Sequence, residues 1–121
     1  RFPIKEVEHE PFISLLETSD HDARRALEAA GVTPNIRYTT KDDYAIIAMV
    51  EQGLGVSIMP ELLLSGRSDN VRVMELTPPA SRTIGLCLPD ADRAGPATLR
   101  FADCVSDWVR EHYSRLQNTL S

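Results

Sequence analysis

Two closely spaced glycines, Gly53 and Gly55, constrain this chain more than any other feature, because they separate two segments of opposite conformation. Residues 44–50 are almost entirely apolar and long enough for about two turns of helix. Such a helix ends at Gly53, since glycine adopts the left-handed conformation after a helix without a Cβ penalty. Gly55 permits a close backbone approach, and the alternating run at residues 56–59 predicts a short buried strand that Pro60 stops. We therefore predict one helix–turn–strand unit around which the flanking segments pack.

Strands and helices also alternate before this unit. Residues 12–16 form an apolar run typical of a strand, and residues 35–40 alternate apolar and polar side chains. Between them we predict an amphipathic helix that follows capping residue types at positions 18–20 and ends at Gly31. Its apolar stripe recurs at helical spacing and consists of Ala23, Ala26, Leu27 and Ala30.

The second half of the chain continues the alternation. We predict a short helical turn at residues 61–66, a strand at residues 71–76, a proline-rich linker at residues 77–81 and a strand at residues 83–88. A long helix then begins at Pro96, and its wide apolar face contains Leu99, Phe101, Ala102, Cys104, Val105, Trp108, Val109, Tyr113 and Leu116. This order of elements predicts an α/β fold with a largely parallel sheet and right-handed crossovers.

Composition excludes several classes of function. The net charge of −5 and the pI of about 5.1 argue against nucleic-acid binding by this chain, because phosphates would meet a repulsive field. No apolar run approaches the roughly 20 residues of a membrane span, and no secretion signal is seen, so we expect no membrane partner and a cytoplasmic location. Without a secretory context, Cys87 and Cys104 are expected to be buried free thiols.

Residue types with catalytic or cofactor potential occur, but their spacing argues against such roles. The Gly-Leu-Gly sequence at residues 53–55 follows a helix and precedes a strand, the reverse of a dinucleotide-binding turn. The Ser-Asp-His sequence at residues 19–21 contains triad residue types, yet a triad is assembled in space and rarely from chain neighbours. The three histidines show no ligand spacing. We predict no enzyme activity, no cofactor and no metal site.

A resemblance to a known family is carried by residues 43–60, which read Asp-Tyr-Ala-Ile-Ile-Ala-Met-Val-Glu-Gln-Gly-Leu-Gly-Val-Ser-Ile-Met-Pro. This run resembles the signature of the effector-binding domain of LysR-type transcriptional regulators. The flanking pieces fit in the same order, namely Glu10-Pro11-Phe12-Ile13, then Ala30-Gly31-Val32-Thr33-Pro34-Asn35-Ile36, the strand from Arg82 and the helix from Pro96. The resemblance covers about residues 3–115.

The resemblance implies a periplasmic-binding-protein-like lobe with a mostly parallel sheet flanked by helices. Residues 1–10 would be a connector from a missing first lobe, residues 11–80 the second lobe, and residues 81–121 a return strand and C-terminal helix. In that family a small effector binds between two lobes, and homo-oligomers, either dimers or tetramers, contact DNA through an N-terminal winged helix-turn-helix that is missing here. With the first lobe missing, we expect the terminal helix to fold back on its own sheet or to be buried against a second copy.

The same resemblance implies a set of effector contacts. Second-lobe contacts in the family come from the loop after the first strand and from the end of the next strand, which here contain Thr18, Ser19, Thr39, Thr40 and Lys41. Hydroxyls and backbone N–H groups at a helix N-terminus suit a carboxylate effector. Helix capping by Thr18 and Ser19, and strand-to-helix turn chemistry at residues 39–41, stay open as alternatives. Thr18 is the strongest single candidate.

Two functions follow from these expectations. The first is the effector-binding regulatory part of a bacterial transcription regulator. The alternative is a solute-binding domain of a transporter, or of an enzyme that shares the two-lobe fold, because fold alone does not determine function. The residues upstream would discriminate, since only the regulator carries a winged helix-turn-helix there.

Overall fold

The computed structural model of the chain describes residues 1–16, 21–66, 70–90 and 92–119, with residues 114–119 as helical backbone only. Its elements in chain order are β1 (Phe2–Pro3), a 3₁₀ helix (Ile4–His9), β2 (Pro11–Leu15), α1 (Asp22–Ala29), β3 (Asn35–Thr40), α2 (Asp43–Glu51), α3 (Glu61–Leu64), β4 (Leu76–Thr77) and α4 (Pro96–Thr119). The chain divides into two units, Arg1–Arg82 and Thr83–Ser121.

The first unit is built around strand β2, which has a parallel neighbour on each side. On one side β3 pairs with it, so that Phe12 lies beside Ile36 and Leu15 beside Thr40. On the other side Val56 forms a parallel bridge with Phe12. The N–H of Val56 donates to the Pro11 carbonyl at 2.9 Å, and the N–H of Ile13 donates to the Val56 carbonyl at 2.9 Å. Because α1 connects β2 to β3, the arrangement is a βαβ unit, and the mixture of helices and parallel strands that the sequence predicts is confirmed.

Glycine positions fix how the chain reaches this bridge. Gly53 follows α2 with φ of +73°, the left-handed conformation that the sequence predicts there. Gly55 lies directly against Pro11, and a Cβ added to it would overlap the Pro11 carbonyl oxygen. The expected close approach is therefore confirmed, and its partner is the first residue of β2.

The core of the first unit is apolar. Every buried side chain in the described ranges is hydrophobic, and the set is Ile4, Val7, Phe12, Ile13, Ala23, Leu27, Val32, Ile46 and Ile47. Full burial of one such large side chain contributes roughly 1.5–3 kcal/mol. The 3₁₀ helix, β2 and α1 share one cluster through Val7, Phe12 and Leu27.

All four predicted helical segments form. Helix α1 carries the predicted stripe, with Ala23 and Leu27 buried, and α3 is the predicted short turn. Helix α2 differs in one respect, since we expected cover on nearly all sides. Ile46 and Ile47 are buried, but the Tyr44 side chain is 58% exposed.

Three predicted strands do not form as expected. Residues 56–59 contribute a single bridge through Val56, residues 71–75 are irregular, and β4 contains only Leu76–Thr77, paired with β1. Residues 83–88 are irregular and exposed. Alternating side chains give a segment the capacity for a strand, but the strand exists only where a neighbour takes its backbone hydrogen bonds. For residues 83–88 the described part of the chain records no such pairing.

The second unit consists of this irregular segment, a turn and α4. Several large apolar side chains of α4 are exposed, namely Leu99, Phe101, Trp108, Val109 and Tyr113. Trp108 and His112 stack one helical turn apart, with ring centroids 4.2 Å from each other. Cys87 and Cys104 are free thiols, as expected, but both are exposed rather than buried. Within the described ranges, no helix combines the length and hydropathy needed to cross a membrane.

Candidate functional site

A small open pocket of about 100 Å³ lies at the carboxyl end of β2. Leu15, the last residue of that strand, contributes to it, and so do Asp22 and Asp43, the first residues of α1 and α2. The remaining described lining residues are Ile46, Ile58, Met59, Pro60, Leu63 and Arg82. In open α/β sheets, ligands bind outside the carboxyl ends of the strands, so this pocket occupies the expected edge.

The charged wall of the pocket contains an ion pair between residues far apart in the chain. Nη1 of Arg82 donates to Oδ2 of Asp22 at 2.9 Å. The other oxygen of the same carboxylate accepts from Nη2 of Arg25 at 3.1 Å. The Arg82 and Asp22 side chains are 36% and 32% exposed, whereas that of Arg25 is 73% exposed. Asp22 therefore holds one half-buried guanidinium at the pocket and one in solvent.

Apart from its charged residues, the described pocket lining is apolar and consists of aliphatic side chains and Met59. Ile58, Met59 and Pro60 leave the Val56 bridge and pass the pocket, while Ile46 of α2 and Leu63 of α3 add further apolar surface. The path of residues 56–60 is fixed by the bridge and by the Ser57 hydroxyl, which donates to the Ile13 carbonyl at 2.8 Å. The site thus combines an apolar surface with one guanidinium and two carboxylates.

The structure places three of the predicted effector contacts beside this pocket rather than in it. Thr40 is the last residue of β3 and lies in register with Leu15, and its Oγ1 accepts from the Asp42 N–H at 3.3 Å. Thr39 and Lys41 are exposed on either side of it. None of the three belongs to the described lining residues. The Thr40 contact is the strand-to-helix turn chemistry that the sequence left open as an alternative.

The other two predicted contacts, Thr18 and Ser19, lie outside the described residues. Helix α1 begins after His21 at the N-cap position, and the His21 side chain makes no capping hydrogen bond. At the start of α2, by contrast, Oδ1 of Asp42 accepts from the Tyr44 N–H at 3.0 Å. The first turn of α2 is therefore capped by a carboxylate of the chain itself.

Sequence reasoning missed Arg82 and gave Asp22 and Asp43 no role at a site. Arg82 appeared only as the start of a return strand, and neither aspartate was singled out. No local pattern joins an arginine to an aspartate 60 positions earlier. The available signal was positional, because Asp22 and Asp43 both follow parallel strands at the edge where ligands bind. Among the described residues, no group of His, Cys, Asp or Glu is arranged to hold a metal ion.

Comparisons with known proteins agree with the resemblance seen in the sequence. The family model described as the LysR substrate binding domain matches residues 1–110. The chain is 26% identical over 106 residues to an uncharacterized HTH-type transcriptional regulator, YvbU, of Bacillus subtilis (strain 168). That alignment covers 86% of this chain and 36% of YvbU, so the chain spans about a third of the length of this relative. No solved structure matches the chain significantly.

Proposed function

This chain belongs to the LysR substrate binding domain family, and from that membership we propose that it is the effector-binding, regulatory part of a bacterial transcription regulator. The observation that carries the proposal is the family match over residues 1–110. The similarity to a regulator of the HTH type supports it further and does not favour a transporter or enzyme domain. The chain's own part is to bind a small molecule, without catalysing its conversion.

The finer fold assignment is part of the same proposal. We take residues 11–80 as the second lobe of a periplasmic-binding-protein-like domain, residues 1–10 as its connector and residues 81–121 as the return segment with the C-terminal helix. Support comes from the βαβ unit around β2 and from the division of the chain between Arg82 and Thr83. A first lobe would supply the other wall of the effector cleft.

The effector would bind at the carboxyl end of β2 and β3. Thr18, Ser19, Thr39, Thr40 and Lys41 remain the proposed polar contacts, with a carboxylate as the preferred ligand group. Their support is the register of Thr40 beside Leu15, which lines the pocket. The apolar residues of the pocket would accommodate the body of the ligand.

The regulatory step needs parts beyond this chain. We propose that DNA is bound by a winged helix-turn-helix elsewhere in the full-length protein, in the cytoplasm, and that the protein acts as a homo-oligomer. The net charge of −5 agrees with a chain that does not itself contact DNA. Effector binding would shift the population of lobe arrangements, and the affinity or geometry on DNA would change through that linkage.

The proposal is tested by combining two measurements on the full-length protein. Melting is followed with a panel of small carboxylates, amino acids and aromatic acids, because a ligand that binds the native state raises its stability by mass action. Each stabilising compound is then added to a DNA-binding assay with the promoter region of the protein's own gene. We expect at least one compound to stabilise the protein and to change its DNA footprint, and Thr18→Ala to weaken both effects.

A compound that stabilises the protein without any effect on DNA binding would favour the solute-binding alternative. If no compound of the panel stabilises the protein, an effector site of this chemistry is contradicted. A panel member that acts equally on the wild-type protein and on Thr18→Ala would leave the function intact and remove Thr18 from the site.

A further inference from the structure

Arg82 is the one cation that lines the pocket among the described residues, and its environment fixes its orientation. Its Nη1 is held by Oδ2 of Asp22 at 2.9 Å. A guanidinium carries five N–H donors in a rigid fork, and this contact uses one of its nitrogens. Because Asp22 sits at the start of α1, it anchors Arg82 to a helix rather than to a loop. The remaining donors of Arg82 can therefore serve a ligand without loss of that anchor.

The Asp22 carboxylate does not pair with Arg82 alone. The same carboxylate accepts from Arg82 and from Arg25, one guanidinium on each oxygen. Asp22 thus neutralises Arg82 only in part, and the Arg82 side chain keeps 36% of its surface exposed. Asp43, in the first turn of α2, also lines the pocket, and the helix dipole complements its carboxylate. Arg82 is therefore the one charged group of the described lining that can attract an anionic ligand.

We propose that Arg82 binds the carboxylate of the effector and that Asp22 is its positioning residue. This inference rests on the proposed function and names the side chain that would select the ligand's charged group. Arginine is the residue that binds carboxylates through two parallel hydrogen bonds, which defines the orientation of the ligand. The neighbouring Leu15, Ile58 and Met59 supply apolar surface, so the ligand would be a small acid with an aliphatic body.

The test compares two arginine variants of the full-length protein, Arg82→Gln and Arg25→Gln. Both remove a guanidinium from Asp22, but Arg25 is 73% exposed and does not line the pocket. The probes are butyrate, isovalerate and hexanoate, each paired with its primary carboxamide, which keeps the shape and loses the charge. Affinity is measured by titration calorimetry, and melting provides a check that each variant is folded.

For Arg82→Gln we expect affinity for the acids to fall by roughly tenfold to a hundredfold, the range for hydrogen bonds to a charged group. Affinity for the carboxamides should change by less than about threefold. A structural defect in the pocket would instead lower the affinity for acids and carboxamides alike. Arg25→Gln should change the affinity for either ligand class by less than about threefold, because Arg25 is exposed and lies outside the pocket lining. Arg82→Lys, which keeps the charge without the planar fork, should recover only part of the lost affinity.

Three results would overturn the inference while leaving the proposed function in place. The acids and the carboxamides could lose affinity equally, Arg25→Gln could match Arg82→Gln, or amines such as butylamine could bind in preference to the acids. Failure of every acid to bind the wild-type protein also overturns it. If the broader panel used for the proposed function then contains a ligand that changes DNA binding, only the assignment of Arg82 is lost.

Discussion

Gly55 is the residue whose type is most directly required by the packing of the first unit. Its backbone lies against Pro11, and the next residue, Val56, donates its N–H to the Pro11 carbonyl at 2.9 Å. A side chain at position 55 would push these two segments apart. The bridge between β2 and the segment that leads to the pocket therefore depends on the absence of a Cβ.

We predict that Gly55→Ala weakens this bridge by about 1–3 kcal/mol, the usual range for inserting a methyl group into a packed site. The readout is hydrogen exchange of the Ile13 amide, which donates to the Val56 carbonyl. A loss of about 2 kcal/mol corresponds to exchange that is roughly thirtyfold faster. Gly85→Ala is the matched control, because a Cβ there meets nothing within 4 Å. Equal exchange rates at Ile13 in the wild-type protein and in Gly55→Ala would contradict the prediction.

At this scale, local chemistry could be predicted and long-range pairing could not. The roles of Gly53 and Gly55 follow from what glycine alone permits in a turn, and both agree with the structure. The pair Asp22–Arg82 depends on how the intervening residues fold, and no pattern in the sequence reports it. The exposure of Cys87 and Cys104 was mispredicted for the same reason, because burial depends on partners rather than on residue type.

Among the elements, α2 carries the clearest start signal. Asp42 occupies the N-cap with extended backbone, and its Oδ1 accepts from the Tyr44 N–H at 3.0 Å. Asp42→Ala should destabilise α2 by about 1 kcal/mol, the typical contribution of such a cap. Asp42→Asn keeps the hydrogen-bonding oxygen and should stay within a few tenths of a kcal/mol of the wild-type value. Urea unfolding of both variants, followed by circular dichroism, measures the difference, and an equal loss in both would assign the effect to charge instead.

Helices were predicted more reliably than strands for a physical reason. The hydrogen bonds of a helix are internal, so the apolar run at residues 44–50 and the glycine that follows it suffice to predict α2. The bonds of a strand come from a neighbour, and residues 71–75 and 83–88 have the alternation of strands without forming them. Strands β2 and β3 form because α1 returns the chain in parallel and because Phe12 of β2 and Leu27 of α1 are buried in one core cluster.

Across the whole molecule, exposed apolar surface is unevenly distributed. Of the fifteen large hydrophobic side chains that are exposed in the described ranges, eight belong to the unit Thr83–Ser121. They are Ile84, Leu86, Leu88, Leu99, Phe101, Trp108, Val109 and Tyr113. Family membership was predictable from residues 43–60, because the Gly-Leu-Gly turn and its flanks form a distinctive local signature. The exposure of these side chains was not predictable, because burial depends on packing partners rather than on residue type.

Large apolar side chains that are exposed on one helix favour association, since exposed apolar patches mark interaction sites. We predict that the isolated chain self-associates through α4. Phe101 and Trp108 are 63% and 55% exposed and lie seven positions apart, hence on one face of the helix. The double variant Phe101→Glu with Trp108→Glu should shift the chain to monomer in gel filtration with light scattering, while circular dichroism shows α4 retained because glutamate is a good helix former. Val73→Glu is the control, because Val73 is equally exposed, at 61%, but lies in the first unit. A wild-type chain that is monomeric at high concentration, or a Val73→Glu variant that dissociates as the double variant does, would show that α4 is not the associating surface.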